Sequence, residues 1–320
     1  MKGYKIVLPV LIALSATAGP AFMPGSTGAL AAQAKPGAAA KPDKPGAPAK
    51  PAETSKSNAA RKTTKAKAKP KAKAKPKAKP KPKAKVTATA QTDQFMLCRQ
   101  NSTVRVHSPN RTYLVNNDDF MNLAECLSGS AHAPAFRVAL SHATSTGPDS
   151  DAFPDIFVGC SWGHCSPGTT LPARVSSLGD PVTTWQTTEN AGGWWAAAYD
   201  MWFDPQPIRT GQASAEMMIW LNAQGLYNPA GMGWPVARID GAQWYVLTWI
   251  TGNGHQTWRY VQFRKYTPRW SVTNLDLKPF YQYMEDQGWI TPSWYALNIE
   301  AGFEIWNGGA GLATTEFSAT

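Results

Sequence analysis

Two stretches of strict alternation constrain this chain more than anything else in it. In GFEIWNGGAGL (302–312) a short extended run leads into a glycine-rich turn. Successive side chains of a strand face opposite ways. Phe303 and Ile305 therefore share one face, and Glu304 and Trp306 share the other. AEMMIWL (215–221) repeats the grammar, with Met217, Ile219 and Leu221 alternating with Glu216, Met218 and Trp220. In AYDMWF (198–203), Asp200 and Trp202 share a face in the same way. Three strands that each carry an acid beside a tryptophan, on the side away from the core, predict one concave surface. Sugar rings have apolar faces that stack on indole, and cleavage of a glycosidic bond needs two carboxyl groups flanking it. The pattern points to a carbohydrate cleft, with Glu216 and Glu304 as the pair and Asp200 as a third acid.

Short alternating segments punctuated by Gly, Pro and Asn recur through residues 87–320, as in QWYVLTWI (243–250) and TWRYVQFRKY (257–266). Between those two, Gly252-Asn253-Gly254 is a hairpin-turn signal. Only 276–287 has helical spacing, with Leu277, Phe280, Tyr281 and Met284 at i, i+3, i+4 and i+7. Asp276 or Asn274 can cap its start, and Gly288 suits its end. Many strands with a single helix predict an all-β sandwich. The segment is long enough to bury a substantial core as one domain.

The N-terminal quarter reads differently. Residues 1–18 carry Lys2 and Lys5, an apolar run over 6–14 and a small-x-small site at Ala16-Thr17-Ala18, which predicts a secretory signal peptide. Residues 19–86 are expected to be a disordered basic linker or tail. From Gln33 onward they are Ala, Pro and Lys with almost nothing that could form a core. Residues 35–85 hold eighteen Lys or Arg against Asp43 and Glu53, whereas residues 87–320 hold twelve basic and nineteen acidic residues. The formal charge of +11 thus belongs to the tail, and the folded part is acidic. For an exported protein, such a tail suits a solvated spacer or a tether to anionic cell-wall polymer. Nucleic acid is not the expected partner. The protein is expected outside the cell, in part wall-associated, and monomeric.

All four cysteines, Cys98, Cys126, Cys160 and Cys165, lie in the folded part. An even count in an exported protein predicts disulfides, with three connectivities open. A zinc site at Cys160, His164 and Cys165 has no second cluster at metal-ligand spacing to complete it, so neither metal nor cofactor is expected. The five histidines form no motif with a serine or cysteine nucleophile. Gly308-Gly309-Ala310-Gly311 precedes no helix pattern and is no phosphate loop.

Glu216 in AEMMIWL, Glu304 in GFEIWNGGAGL, Asp200 in AAYDMWFDP, the segment FVGCSWGHCSPGTTLPARVS (157–176) and YLVNN (113–117) together resemble glycoside hydrolase family 12. The family comprises mainly secreted endo-β-1,4-glucanases and xyloglucanases, and the resemblance covers roughly residues 95–320. It implies a jelly roll of two bent antiparallel sheets with an open substrate cleft, and disulfides Cys98–Cys126 and Cys160–Cys165. It implies retaining hydrolysis of a β-1,4-glucan with Glu216 as nucleophile, Glu304 as acid/base and Asp200 tuning their ionisation through a hydrogen bond to Glu216. Asn117, Trp162, Met218, Trp220 and Trp306 are the expected substrate contacts. A non-catalytic β-glucan-binding protein on the same sandwich is the alternative. The chain departs from the family in two places. Asp119, followed by Phe120, stands where the family has a sugar-stacking tryptophan, and Ala237 stands where glycine is usual. Either Phe120 substitutes, or that end of the cleft binds weakly or takes a different sugar.

Overall fold

A computed structural model describes residues 93–252 and 256–320. The signal-peptide and tail expectations, and the tip of the hairpin at Asn253-Gly254, lie outside the described residues. Two sheets account for the domain. A six-stranded sheet runs in the order Gln94–Leu97, Cys126–Ser130, Phe136–Leu140, Ala313–Ala319, Val182–Thr188 and Val272–Asp276. The larger sheet runs Val236–Ile239, Ala242–Gly252, Thr257–Lys265, Ala215–Gln224, Gly193–Asp204, Asn298–Gly308, Asp155–Ser161, Arg111–Asn117 and Ser102–Ser108, with short strands at its margins.

The pairing departs from expectation at one place. The strands Ala215–Gln224 and Thr257–Lys265 run parallel, with Glu216 beside Tyr260 and Trp220 beside Arg264. Every other described pair is antiparallel, including the 242–252 and 257–265 strands of the expected hairpin.

Alternation decides what lies between the sheets. Met217, Ile219 and Leu221, Tyr199, Met201 and Phe203, and Ile299, Ala301, Phe303 and Ile305 all enter the main core. They meet Trp185 and Phe136 of the smaller sheet. Trp185 lies 5.3 Å from Tyr199 and 5.7 Å from Phe303 between ring centroids, and Phe136 lies 6.1 Å from Phe303. With one face of the larger sheet committed to this core, Glu216, Asp200 and Glu304 must stand on the other. Gly302 lets that region close up: a Cβ there would lie 2.5 Å from the Pro154 carbonyl oxygen and 2.8 Å from the Asp155 Cβ.

The single α-helix among the described residues spans Lys278–Asp286. The N-cap position is Leu277, without a side-chain cap; Asp276, one residue earlier, still accepts the Lys278 backbone N–H through Oδ1 at 2.9 Å. At the other end Gly288 has φ +67°. Its N–H donates to Glu285 O and that of Trp289 to Met284 O, the paired bonds of a Schellman motif. Both disulfides form as the family pattern implies, Cys98–Cys126 and Cys160–Cys165.

The helix is fixed by Phe280, which is fully buried 4.9 Å from Trp244 and 5.3 Å from Phe263. Phe280→Ala should cost about 3–5 kcal/mol, measured as a lowered midpoint in chemical denaturation. An unchanged midpoint would mean that the helix adds little to the sandwich.

Candidate active site

The strand Gly193–Asp204 lies between the two strands that carry the glutamates. In its register Trp202 stands opposite Glu216, Asp200 opposite both Met218 and Glu300, and Ala196 opposite Glu304. Asp200, Glu216, Glu300 and Glu304 line one open cavity with Met218 on its floor. Trp162, Trp202 and Trp258 line the same cavity, with Phe120 and Phe153. Glu216 and Glu304 are only 3% and 4% exposed, so the face turned from the main core is nevertheless shielded. A second apolar cluster of Phe153, Ala196, Ala198, Met218, Trp220, Tyr260 and Trp306 shields it.

Each acid has its own partner. Trp258 Nε1 donates to Glu216 Oε2 at 2.6 Å. Ser150 Oγ donates to Glu304 Oε1 at 3.1 Å, and Glu304 Oε2 is left unpartnered. Trp202 Nε1 donates to Asp200 Oδ2 at 2.9 Å, while Asp200 Oδ1 has no partner. The expected Asp200–Glu216 hydrogen bond is therefore not made; the two are linked by the electrostatic repulsion of neighbouring carboxylates.

Burial raises every one of these groups. Glu216 is pushed up to about 8 by desolvation, offset by the Trp258 hydrogen bond and reinforced by Glu304 and Glu300. Glu304 is pushed up to about 8 by desolvation, with Ser150 pulling the other way. Glu300 also reaches about 8, from desolvation first. Asp200 is raised well above the usual carboxylate range by desolvation and then by Glu216, Glu300 and Glu304. The salt bridges among the described residues, His132–Asp93 and Lys278–Asp180, touch none of these acids.

The expected substrate contacts divide. Met218 and Trp162 line the cavity. Asn117 does not: it is fully buried, and its Nδ2 donates to the backbone oxygens of Glu125 and Arg99. Alternation puts it with Tyr113 and Val115 on the core side, and Asn116 lines the cavity in its place. Trp220 and Trp306 are also corrected as open platforms. They do share the glutamates' face, but they are packed edge-to-face at 5.9 Å and only 4% and 3% exposed. Trp306 is tied to Pro148 O through Nε1 at 3.0 Å, and Arg264 lies over the Trp220 ring at 5.5 Å.

Asp119 proves to be a loop organiser, its carboxylate accepting the N–H groups of Leu123 and Glu125 at 2.9 and 3.2 Å. Its neighbours Asp118 and Phe120 face the cavity. Ala237 sits in the edge strand opposite Trp244. Sequence reasoning missed Glu300, Trp258, Asn116 and Asp118. Glu300 was within reach, because it lies four residues before Glu304 and so on the same strand face.

A concave sheet face carrying shielded carboxyls, with indoles along one cavity, defines the protein as a glycoside hydrolase. Comparison with known proteins fixes the family. Residues 123–320 match the profile of glycosyl hydrolase family 12. "Probable cellulase Cel12b" of Mycobacterium tuberculosis is 34% identical over 153 residues, which cover 48% of this chain and 97% of that protein. "Probable xyloglucan-specific endo-beta-1,4-glucanase A" of Aspergillus clavatus is 29% identical over 156 residues, 46% of this chain and 61% of that one. Endoglucanase cel12A from Rhodothermus marinus superposes with a TM-score of 0.64 at 36% identity, over 71% of this chain and 98% of the other. The chain belongs to glycosyl hydrolase family 12 and is an endo-β-glucan hydrolase.

Two pH effects follow from these groups. In Trp258→Phe, Glu216 loses the bond that favours its ionised form, so the acid limb of kcat/KM should move to higher pH; an unmoved limb would remove the indole from its control. The second effect is on stability. Asp118 at about 7, and Glu125, Glu216, Glu300 and Glu304 at about 8, bind protons more tightly folded than unfolded. Their contribution is fully present below the unfolded carboxylate range and is lost as pH rises toward 8. The melting temperature should therefore fall between about pH 5 and pH 8, in scanning calorimetry across that range; a rise would contradict the burial of these acids.

Proposed function

We propose that the protein is a retaining endo-β-1,4-glucanase in which Glu216 is the nucleophile, Glu304 the acid/base and Asp200 the acid that tunes them. One observation carries the division of labour. The indole N–H on Glu216 can only donate, so it favours a carboxylate. The hydroxyl on Glu304 can donate or accept, so it tolerates a protonated acid, and the unpartnered Oε2 is left for the leaving oxygen. In the first step a Glu216 oxygen attacks the anomeric carbon while Glu304 gives its proton to the departing glycosidic oxygen. In the second, Glu304 takes a proton from water, which attacks the same carbon and releases Glu216. Two inversions give net retention, for which the carboxyl groups need a spacing of about 5–5.5 Å.

The substrate is a β-1,4-glucan. The names of the cellulase and xyloglucanase relatives support cellulose, mixed-linkage glucan and xyloglucan as the panel to test. Trp162, Trp202 and Phe120, the less buried rings of the cavity wall, offer the aromatic surface that would contact the sugars. We also propose export through residues 1–18 and wall association through the basic tail, a reading supported by composition alone.

Glu216→Gln should lower the release of reducing ends from barley glucan by about 10³-fold or more, with the melting temperature retained; near-normal turnover would remove Glu216 from the mechanism. Proton NMR of fresh wild-type hydrolysate should show the β-anomer first, and an initial α-product would mean inversion. Deleting residues 19–86 should leave turnover of soluble substrate unchanged while weakening adsorption to anionic cell wall, the more so at low salt. Equal adsorption of the truncated and full-length proteins at every ionic strength would rule out the tether.

A further inference from the structure

The mechanism above leaves two acids of the cavity, Asp118 and Glu300, without a task, and of these Glu300 stands on the same strand as Glu304. Glu300 is buried, lines the cavity, and stands directly across the strand pair from Asp200. Its Oε1 accepts from Asn298 Nδ2 at 2.6 Å, and it is hydrogen-bonded to Ser161. Asn298 Oδ1 in turn accepts the backbone N–H of Trp202 at 2.9 Å, and the indole of that same Trp202 holds Asp200. A chain of hydrogen bonds thus runs from Glu300 through the Asn298 side chain and the backbone and indole N–H groups of Trp202 to Asp200.

We infer that Glu300 is a positioning residue of the hydrolysis: it fixes Asp200 through Asn298 and Trp202, and it competes with Glu216 for the first negative charge the cavity can hold. The inference rests on the assignment of Glu216 as nucleophile. Several groups, Glu304 among them, surround Glu300 and share control of that charge. From the 193–204 strand it faces Asp200, from the 215–224 strand Glu216, and from the 155–161 strand Asp155 and Ser161. Asp118 follows the 111–117 strand, Glu304 lies on its own strand, and His164 lines the same cavity. Carboxyls this close do not ionise independently, so a charge on Glu300 delays one on Glu216. Glu300 stands directly opposite Asp200 across the strand pair, whereas Glu304 stands four residues further along the strand, opposite Ala196 and bonded to Ser150.

That asymmetry gives a test which a merely structural residue would fail. Glu300→Gln is close to isosteric and retains an acceptor for Asn298. In the kcat/KM pH profile on a soluble β-glucan, its acid limb should move to lower pH by roughly half a unit or more, with the basic limb in place. Glu300→Asp, which restores the carboxyl, should return the acid limb to its wild-type position with a reduced kcat. Limbs that stay fixed in Glu300→Gln while kcat falls, or that both move together, would overturn the inference. Should Glu300→Gln fail to fold, an acid limb displaced in Glu300→Asp would equally count against it. An active wild type whose 2-fluoro-glycoside label lands elsewhere than Glu216 would bring down the nucleophile assignment first, and this inference with it.

Discussion

The structure depends on a compromise between burial and charge. Six carboxyl groups, Asp118, Asp155, Asp200, Glu216, Glu300 and Glu304, gather on or beside one face of the larger sheet, and no salt bridge among the described residues relieves them. Leaving an ionised carboxylate unpaired in such a place costs far more than protonating it. The cavity therefore holds its acids largely as neutral groups until the pH is well above the usual carboxylate range. The sandwich tolerates this because its stability comes from the opposite face, where Tyr199, Met217, Phe303 and Trp185 close the main core. Period-two alternation keeps the two demands apart, one residue to the core and the next to the chemistry.

Within that neutral cluster, function needs one member to ionise before the others. The distinction lies in hydrogen-bond partners, since burial acts on all of them alike. A donor-only indole 2.6 Å from Glu216 favours a charge there, as the Asn298 amide does on Glu300, while a hydroxyl leaves Glu304 free to keep its proton. Two tryptophans act on acids in this way, Trp258 on Glu216 and Trp202 on Asp200. Aromatic residues in this cleft are as much electrostatic elements as surfaces for sugar, because a side chain that can only donate is a fixed preference for negative charge.

Much of this was legible in the sequence, and the misses have physical causes. Alternation assigned Glu216, Asp200 and Glu304 to one face, and the helix over 278–286 followed from its apolar spacing. Alternation gives direction and not depth, however. It placed Trp220 and Trp306 on the glutamates' face but could not show that Phe153, Tyr260 and Met218 pack around them there. Asn117 failed by a single residue: Asn116 and Asn117 are adjacent, so one faces the cavity and the other the core. Trp258 was illegible for a different reason. Its link to Glu216 crosses a parallel strand pair between segments forty-two residues apart, and no local pattern announces that pairing. The disulfides came from resemblance, since spacing left three connectivities open.

Asp119 shows how one substitution can be absorbed without loss of the site. Its carboxylate accepts two backbone N–H groups of the turn that follows, so the loop over residues 119–125 is ordered by hydrogen bonds from within. That ordering turns Asp118 and Phe120 toward the cavity, with Asn116 and Gln100 beside them. An indole platform offers a sugar a broad apolar face, whereas this wall offers one smaller ring among carboxyl and amide groups that bond to hydroxyls. A sugar lying at this end would meet hydrogen-bonding groups in place of a broad stacking face. A hydrogen-bonded site discriminates between sugars by the placement of their hydroxyls, because a donor or acceptor left unmatched in a shielded wall costs more than a poorly fitted stack. Asp119 makes these bonds within its own loop and leaves Glu216 and Glu304 on the strands that hold them.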